Sequence, residues 1–218
     1  MNKNVTMMPM ATERTTGILR PSLVSAIFFM VVTGLLYPLF TTGVASFIFP
    51  HQSAGSLITL KNKNIGSEVI GQYFTSPKYF HGRPSATSGV DPEDNTKTIP
   101  EPYNAAASAA SNYGVLNKNL INSVEMRAKA YRNENMLNAN SQVPVDAVTS
   151  SASGLDPHIS LANAYLQIKR IAKARGISPE AIVKILNENT EERQFGILGE
   201  PRINVLKINL ALDALKTQ

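Results

Sequence analysis

A single uncharged run, from Pro21 to Pro50, constrains this chain more than any other feature. Its thirty residues include no Asp, Glu, Lys or Arg, whereas the rest of the chain has a mixed polar composition. A bilayer core requires about 20 predominantly apolar residues in an α-helix. The run therefore predicts one transmembrane helix over residues 21–50, with a tail at 1–20 before it and a soluble domain at 51–218 after it.

A second interpretation is a cleaved signal peptide, because the small residues Gly43 to Ala45 are of the kind that a signal peptidase recognises. The apolar stretch before them is longer than the roughly 7–15 residues of a typical signal-peptide core. This length favours an uncleaved anchor. The absence of Cys excludes a lipoprotein anchor and disulfides.

The charged residues that flank the run predict its orientation. Lys3, Arg14 and Arg20 precede it, and after it no Lys or Arg occurs until Lys61. Because positive flanks stay on the cytoplasmic side, we expect a cytoplasmic N-terminus and an extracytoplasmic domain. The formal net charge is +5, of which two belong to the tail. The remaining domain is too weakly basic to indicate nucleic-acid binding.

Small and weakly polar residues interrupt the apolar run and allow close helix packing in lipid. Ser22, Ala26 and Thr33 fall on one face of a regular helix, and Gly34 lies beside Thr33. Pro38 predicts a kink, because proline removes one helical hydrogen bond. We expect these five residues to form a packing face for partner helices, and the alternative is an anchor of ordinary composition.

The soluble region mixes short strands with amphipathic helices in no regular alternation, which predicts an α+β domain with a small sheet. Hydrophobic patterns and turn residues predict strands at Ser56–Leu60, Glu68–Phe74 and Val143–Val148, a loop from Thr87 to Asn112 and a helix over Asn117–Asn133.

Cap residues predict the helices of the C-terminal part. Ser160 and Gly176 bound one helix, and Ser178 with Pro179 begins the next, so the two form an αα-hairpin. We expect the first helix to bury Leu161, Ala164, Tyr165, Ile168 and Ala172, and the second to bury Ile182, Ile185 and Leu186. A last helix is expected over Asn204–Leu215, with Leu206, Leu210 and Leu215 on its buried face.

The sequence lacks the common motifs of catalysis and phosphate binding, including the Asp-Lys-Thr-Gly phosphorylation motif. Asp156, His158 and Ser160 are close in sequence, but neighbours directly before a helix rarely form the hydrogen-bonded line of a catalytic triad. We interpret them as turn and cap residues. His51, His81 and His158 lack the spacing of metal ligands. We therefore predict no catalytic and no metal site, and cofactor-binding residues stay unassigned.

The αα-hairpin also resembles a DNA-binding helix-turn-helix. Its first helix carries Lys169, Arg170, Lys173 and Arg175, but the second helix, which would read the bases, is nearly neutral. A membrane-tethered DNA-binding regulator therefore stays as the alternative function. We favour a packed hairpin with a solvated basic face.

Several strings, taken in order, closely resemble the C subunit of the Kdp-type potassium-transporting P-type ATPase. The resemblance covers about residues 17–216. Its strings are Leu19–Leu23, Tyr37–Leu39, Gly55–Ile58, Ile70–Phe74, Phe80–Ala86, Ser151–Ser160 and Asn204–Asp213.

This resemblance implies a non-catalytic accessory subunit of a high-affinity, ATP-driven potassium uptake pump in the inner membrane. Its implied partners are a potassium-channel-like subunit and a P-type ATPase subunit, without nucleic acid. The resemblance also implies a role in raising the ATP affinity of the catalytic subunit, so ATP would act through that subunit. Among exposed loop residues, Arg83, Asp156 and His158 are the candidates for interaction.

Overall fold

The computed structural model describes residues 17–215, and the predicted tail at 1–20 lies outside the described residues except for its last four. The chain divides into two compact units between Ala54 and Gly55.

The first unit contains one helix of 30 residues, Leu19–Ile48, whose side chains are almost all exposed. It comprises α1 (Leu19–Val31), a π-helical segment (Val32–Leu36) and α2 (Tyr37–Ile48), and a short α3 (Pro50–Ser53) follows. Among the described residues this is the one helix long and apolar enough to cross a membrane. The predicted N-terminal apolar helix is therefore confirmed.

The π-helical segment is the local response to Pro38. Proline has no N–H to donate, and its ring would collide with the carbonyl of residue 34 in a regular helix. A π segment widens one turn and accommodates both defects while the helix continues. The hydroxyls of Thr33 and Thr41 bond within the helix, to the carbonyls of Phe29 (2.6 Å) and Tyr37 (2.9 Å).

The second unit begins with an antiparallel hairpin of β1 (Leu57–Leu60) and β2 (Lys63–Ser67). The first strand confirms the prediction, but the second lies at Lys63–Ser67 and not at the predicted Glu68–Phe74. Lys61 and Asn62 adopt left-handed conformations and close the hairpin in two residues. Residues 71–74 belong to no strand.

The predicted loop from Thr87 to Asn112 contains a second small hairpin. Ser88–Val90 forms β3 and Thr98–Pro100 forms β4, and the two pair antiparallel. The turn between them is closed by aspartate side chains, because Asp91 accepts from the N–H of Glu93 and Asp94 accepts from that of Thr96. The strands have only three residues each, so no alternating pattern marks them in the sequence.

A three-stranded antiparallel sheet organises the C-terminal part of this unit. Its strands are β5 (His158–Ser160), β6 (Thr190–Glu191) and β7 (Arg202–Asn204), and β7 lies in the centre. The predicted strand at Val143–Val148 is instead one helical turn, α5 (Val145–Val148). This turn places the Asp146 carboxylate against the backbone N–H of Ser160, at 2.8 Å.

Helices pack against this sheet and against each other. They are α4 (Lys118–Glu134), α6 (Leu161–Arg175), α7 (Pro179–Glu188) and α8 (Val205–Ala214). The αα-hairpin of α6 and α7 is confirmed: Ser160 and Ser178 accept N-cap hydrogen bonds from Asn163 and Ala181, and Gly176 ends α6 in the left-handed conformation.

The hydrophobic core lies between α6, α7, α8 and the three-stranded sheet. Its largest fully buried members are Phe80, Ile159, Ile171, Ile182, Leu186, Ile203, Ile208 and Leu212. The predicted buried face of α7 is confirmed. On α6, Tyr165 is exposed, and on α8 the buried residues include Ile208 and Leu212, whereas Leu215 is exposed. The buried faces of α6 and α8 were thus predicted only in part; on α8 Leu206 is buried as predicted, and Leu210 is half-buried.

The predicted solvated basic face of α6 is wrong for two of its four residues. Arg170 is 5% exposed. Arg175 donates to the carbonyls of Lys78 (2.7 Å) and Leu212 (3.0 Å) and pairs with Asp213 at 2.8 Å. Lys169 and Lys173 are exposed.

Candidate functional site

The three loop residues that the sequence singled out lie together. Nη1 of Arg83 contacts Oδ2 of Asp156 at 2.9 Å. Oδ1 of Asp156 accepts from the backbone N–H of His158 at 3.0 Å, and it lies 3.5 Å from Nδ1 of the same histidine. All three side chains are about three-quarters buried, so they are less exposed than the sequence predicts.

These residues begin a longer chain of charged side chains across the three-stranded sheet. Nε2 of His158 lies 3.5 Å from Glu191, which also contacts Arg202 (3.1 Å) and Lys207 (3.5 Å). Lys207 in turn pairs with Glu68 at 2.9 Å. We call this set the ionic chain; its members are Arg83, Asp156, His158, Glu191, Arg202, Lys207 and Glu68.

Electrostatics keep two members of the ionic chain charged. Burial by itself would raise the pKa of Asp156, but hydrogen bonds from His158 and Arg83 lower it to about 2. Burial opposes the charge of Lys207 as well, yet Glu68 and Glu191 raise the pKa of its ammonium group. Neighbouring side chains therefore stabilise the charged forms of Asp156 and Lys207.

The arrangement around His158 is not that of a nucleophilic triad. The His158 ring lies between the carboxylates of Asp156 and Glu191. The Ser160 hydroxyl instead donates to Asp146 at 2.9 Å and accepts from the backbone N–H of Asn163 at 3.1 Å. No hydrogen bond joins His158 to Ser160 in this arrangement. Because Ser160 accepts from the N–H of Asn163, it is the N-cap of α6, as the sequence predicts.

The tyrosine Tyr103 packs against the start of the ionic chain. Its hydroxyl donates to the backbone carbonyl of Arg83 at 2.8 Å, and burial raises the pKa of that hydroxyl. A Cβ on Gly71 or Gly82 would collide with the Tyr103 side chain. Gly71 also donates its N–H to the carbonyl of Leu155 at 2.8 Å. Three strings of the resemblance therefore meet at this point.

The Ser85 hydroxyl fixes the same region from the other side. It donates to the carbonyl of Gly154 at 2.8 Å and accepts from the N–H of Tyr103 at 3.0 Å. Gly154 has a φ of +69°, and a Cβ there would lie 2.7 Å from the carbonyl oxygen of Ala109. Only glycine satisfies both the conformation and the space at this position.

A second polar cluster lies on the buried face of α6. Asn163, Gln167 and Arg170 follow each other at helical spacing and are all buried. Gln167 accepts from the N–H of His81 at 2.8 Å and donates to its carbonyl at 3.1 Å. Arg170 donates to the carbonyls of Pro77 (2.7 Å) and Tyr79 (3.0 Å).

Segment 77–81 belongs to no helix or strand, so these side chains supply partners for its backbone. Asn209 on α8 completes the set, because its side chain accepts from the N–H of Phe80 at 2.8 Å and donates to its carbonyl at 3.0 Å. The sequence analysis missed this role. The recognisable feature was a row of polar residues, four and three positions apart, between apolar residues of α6.

A cleft of about 410 Å³ opens beside both clusters. Its walls include Tyr73, His81, Arg83, Arg127, Tyr131 and Glu134. His81 contacts Glu134 at 2.8 Å through Nδ1 and the carbonyl of Ser76 at 2.9 Å through Nε2. Arg127 donates to the carbonyl of Val148 at 3.0 Å. His81, Glu134 and Arg127 are therefore engaged in holding neighbouring segments together.

Comparison with known proteins matches this architecture to one family. A family model described as the c chain of the K⁺-transporting ATPase, KdpC, matches residues 19–214. The chain belongs to the KdpC family. The match includes the N-terminal helix and the second unit, so the resemblance found in the sequence is confirmed.

Curated relatives carry the same description. A potassium-transporting ATPase KdpC subunit from Rhodopseudomonas palustris is 52% identical over 198 residues, which are 91% of this chain and 98% of the relative. KdpC subunits from Bradyrhizobium diazoefficiens (50% identical, 89% and 96% covered) and Methylobacterium nodulans (48% identical, 90% and 96% covered) are also similar. These comparisons give no support to the DNA-binding alternative.

The structure thus joins Arg83, Asp156 and His158 and adds four charged residues that the sequence analysis missed. Glu68, Glu191, Arg202 and Lys207 are far apart in sequence, so only the pairing of β6 with β7 and the docking of α8 reveal their proximity. The other candidate residues, Ser22, Ala26, Thr33, Gly34 and Pro38, lie on the apolar helix of the first unit. Their packing role stays a prediction.

Proposed function

We propose that this chain is a non-catalytic accessory subunit that stabilises an ATP-driven potassium pump from the outer side of the membrane. The family match over residues 19–214 carries the proposal. Ion pairs of the second unit support a stabilising role, because Asp156, Glu191 and Lys207 each pair with a residue of another segment.

The proposed location follows from the charges that flank the apolar helix. Arg20 directly precedes the uncharged run, and Lys61 is the first Lys or Arg after it. Under the positive-inside rule the second unit is periplasmic and the helix is a single pass through the inner membrane. A domain on that side is placed near the ion entrance of an uptake pump.

The proposed partners are the potassium-channel-like subunit and the P-type ATPase subunit that the family resemblance implies. The apolar helix would contact them through its small residues, because Ala26 and Gly34 allow close approach of another helix.

We propose that this chain raises the ATP affinity of the catalytic subunit through the apolar helix. A periplasmic domain does not meet cytoplasmic nucleotide. A subunit shifts the affinity of another only when it binds two states of that partner with different strength. In the proposed topology the helix is the link between the periplasmic domain and the cytoplasmic side, where the tail at 1–20 lies.

The first experiment determines the topology. The chain has no Cys, so single cysteines introduced at exposed Lys184 and, as the control, at Asn4 in the tail report one side each. A membrane-impermeant thiol reagent applied to intact spheroplasts should label Lys184→Cys and spare Asn4→Cys until lysis. The opposite pattern would refute the periplasmic location.

The second experiment tests the accessory role. Cells that express the other pump subunits without this chain should lose high-affinity potassium uptake, and the full-length chain supplied in trans should restore it. The purified chain alone should hydrolyse no ATP above the background of a mock preparation. Normal uptake without the chain would refute the proposal.

A further inference from the structure

The side chain of His81 lies between two oxygen atoms. Its Nδ1 is 2.8 Å from Oε1 of Glu134, and its Nε2 is 2.9 Å from the backbone carbonyl oxygen of Ser76. The His81 side chain is only 20% exposed, so both contacts are largely shielded from water. The ring therefore joins two parts of the second unit, the C-terminal end of α4 and the turn at residues 76–81.

Both oxygen atoms only accept hydrogen bonds. A backbone carbonyl has no proton to donate. The hydrogen bond from His81 is the main cause that lowers the pKa of the Glu134 carboxyl, against the effect of burial, so this group is ionised at neutral pH. An imidazole ring donates from both nitrogens only when it carries a second proton, as the imidazolium ion. The geometry around His81 therefore fits the charged ring.

Neither neutral form of the ring satisfies both contacts. With the proton on Nδ1, the lone pair of Nε2 faces the oxygen of Ser76, and with the proton on Nε2, the lone pair of Nδ1 faces the carboxylate of Glu134. A lone pair that faces an acceptor forms no hydrogen bond and repels it. Loss of the second proton from His81 therefore removes one of the two contacts.

Charged groups of α4 and α6 act on the His81 ring in opposite directions. The Glu134 carboxylate favours a positive ring, which it contacts at 2.8 Å. The Arg170 guanidinium opposes a positive ring, because its Nε lies 3.9 Å from the same Glu134 oxygen. Opposed influences of this kind allow an imidazole to change its charge near neutral pH. The other titratable groups that line the cleft with His81 are Tyr73, Arg83, Tyr103, Arg127 and Tyr131.

From this geometry we propose that His81 is a proton-dependent latch. With its ring protonated, His81 holds the turn at 76–81 against Glu134 at the end of α4. When the ring loses that proton, one contact is lost and the end of α4 is held more weakly. The turn itself stays in place, because Gln167 on α6 bonds both the N–H and the carbonyl of His81 independently of the ring. The latch therefore opens locally, without unfolding of the core.

The latch joins the two walls of the cleft. Residues 73–75 and 81–84 form one wall, and Arg127, Tyr131 and Glu134 of α4 contribute to the other. Protonation of His81 therefore determines how firmly the walls are held together. In the proposed topology this unit meets the pH of the medium around the cell. That consequence rests on the proposed function, whereas the latch depends only on contacts within the second unit.

A double-mutant cycle at two pH values tests the latch. His81→Gln and Glu134→Gln are made singly and together in the full-length chain in detergent, and the coupling is the non-additive part of their shifts in thermal midpoint. Protonation that strengthens the fold adds stability that is lost as the pH rises. The coupling should be at least about 3 °C at pH 6 and below about 1 °C at pH 8.5. A coupling that is absent at pH 6, or equal at both pH values, would overturn the proposal.

The control cycle replaces Glu134→Gln with Glu180→Gln. Glu180 is an exposed carboxylate in the first turn of α7. Its coupling with His81→Gln should stay below about 1 °C at pH 6 and at pH 8.5. A pH-dependent coupling as large as that of the first cycle would trace the effect to net charge and overturn the proposal.

Hydrogen exchange of the wild-type chain gives a local test that requires no variant. After correction for the pH dependence of intrinsic exchange, protection of the last turn of α4 should fall between pH 6 and pH 8.5, while protection of α7 should not change. His81→Gln should abolish the change in α4. Equal protection of α4 at both pH values in the wild type would overturn the proposal, even if the variants fail to fold. Potassium uptake without the chain judges the accessory function separately, so either proposal can fail alone.

Discussion

Tyr103 and Arg83 are joined by a 2.8 Å hydrogen bond from the tyrosine hydroxyl to the arginine backbone carbonyl. The bond places the Tyr103 ring in the space that side chains on Gly71 and Gly82 would occupy. It also brings the Arg83 guanidinium to Asp156, at the start of the ionic chain. One aromatic side chain thus organises three separate segments.

The first prediction concerns this packing. In Gly71→Ala the new methyl group would collide with the Tyr103 ring and lie 2.7 Å from the backbone oxygen of Asp156. Since the backbone has little freedom to move, we expect a loss of about 1–3 kcal/mol in the free energy of unfolding. Tyrosine fluorescence during urea unfolding of the full-length chain in detergent measures it. Gly114→Ala, which meets no atom within 4 Å, should be close to neutral.

The second prediction concerns pH. The pKa of Asp156 is about 2 in the fold, against 3.8 for the unperturbed group. A depressed pKa contributes stability that is present above the unfolded value and is lost as the pH falls through the folded one. We expect Asp156→Asn to be less stable than the wild type at pH 7. As the pH falls from 5 to 2, the difference in free energy of unfolding between the wild type and Asp156→Asn should narrow by about 2 kcal/mol.

Unfolding curves of both proteins across this pH range measure the difference. Glu188→Gln removes an exposed carboxylate on α7 and serves as the control. A difference in unfolding free energy between Asp156→Asn and wild type that stays constant with pH would show that the hydrogen bonds from His158 and Arg83 do not lower the pKa of Asp156.

The third prediction concerns Gln167 on α6. Gln167→Leu fills a similar volume but leaves the backbone groups of His81 and one guanidinium nitrogen of Arg170 without this partner. Buried polar groups without partners are costly, so we expect a loss of about 3 kcal/mol in the free energy of unfolding. Tyr165→Phe on the same helix removes only an exposed hydrogen bond to Asn187 and should cost less than about 0.5 kcal/mol. Equal losses would contradict the proposed role.

The fourth prediction concerns the apolar helix. Ala26→Leu places a large side chain on the predicted packing face, and we expect about tenfold less chain to copurify with the pump, the equivalent of 1.4 kcal/mol. Gly43→Leu adds at least as much volume at a position where no atom lies within 4 Å, and it should copurify normally. If Ala26→Leu copurifies with the pump as the wild type does, Ala26 does not lie on a packing face.

The sequence predicted best those elements whose limits depend on local chemistry. Ser160, Gly176 and Ser178 define helix ends through hydrogen bonds and backbone conformation within a few residues. The apolar helix was also predicted from local sequence, because its length and its apolar composition are enough to identify it. The three-residue strands β3 and β5 were not predicted. Such short strands carry no alternating pattern of their own and form only by pairing with distant segments.

The candidate site could be predicted only in part for the same reason. Arg83, Asp156 and His158 stand in distinctive strings, so they were found, but their burial depends on Tyr103 and on the sheet. Arg170 was misjudged because a basic residue on an amphipathic helix is usually solvated. Its burial depends on carbonyl groups of segment 77–81 that the helical pattern does not reveal.

The π-helical segment has a consequence for how the two halves of the apolar helix face a partner. A π segment takes up one extra residue, so each later residue has the angular position that a regular helix gives to the residue before it, a shift of about 100°. Thr41 and Ala45 thereby come into phase with Ser22 and Ala26, and Gly43 turns to the opposite side. Deleting one residue within Val32–Leu36 would remove that extra residue, so a regular helix would keep the alignment, whereas a regular helix of the full length would rotate the C-terminal half by about 100° out of it.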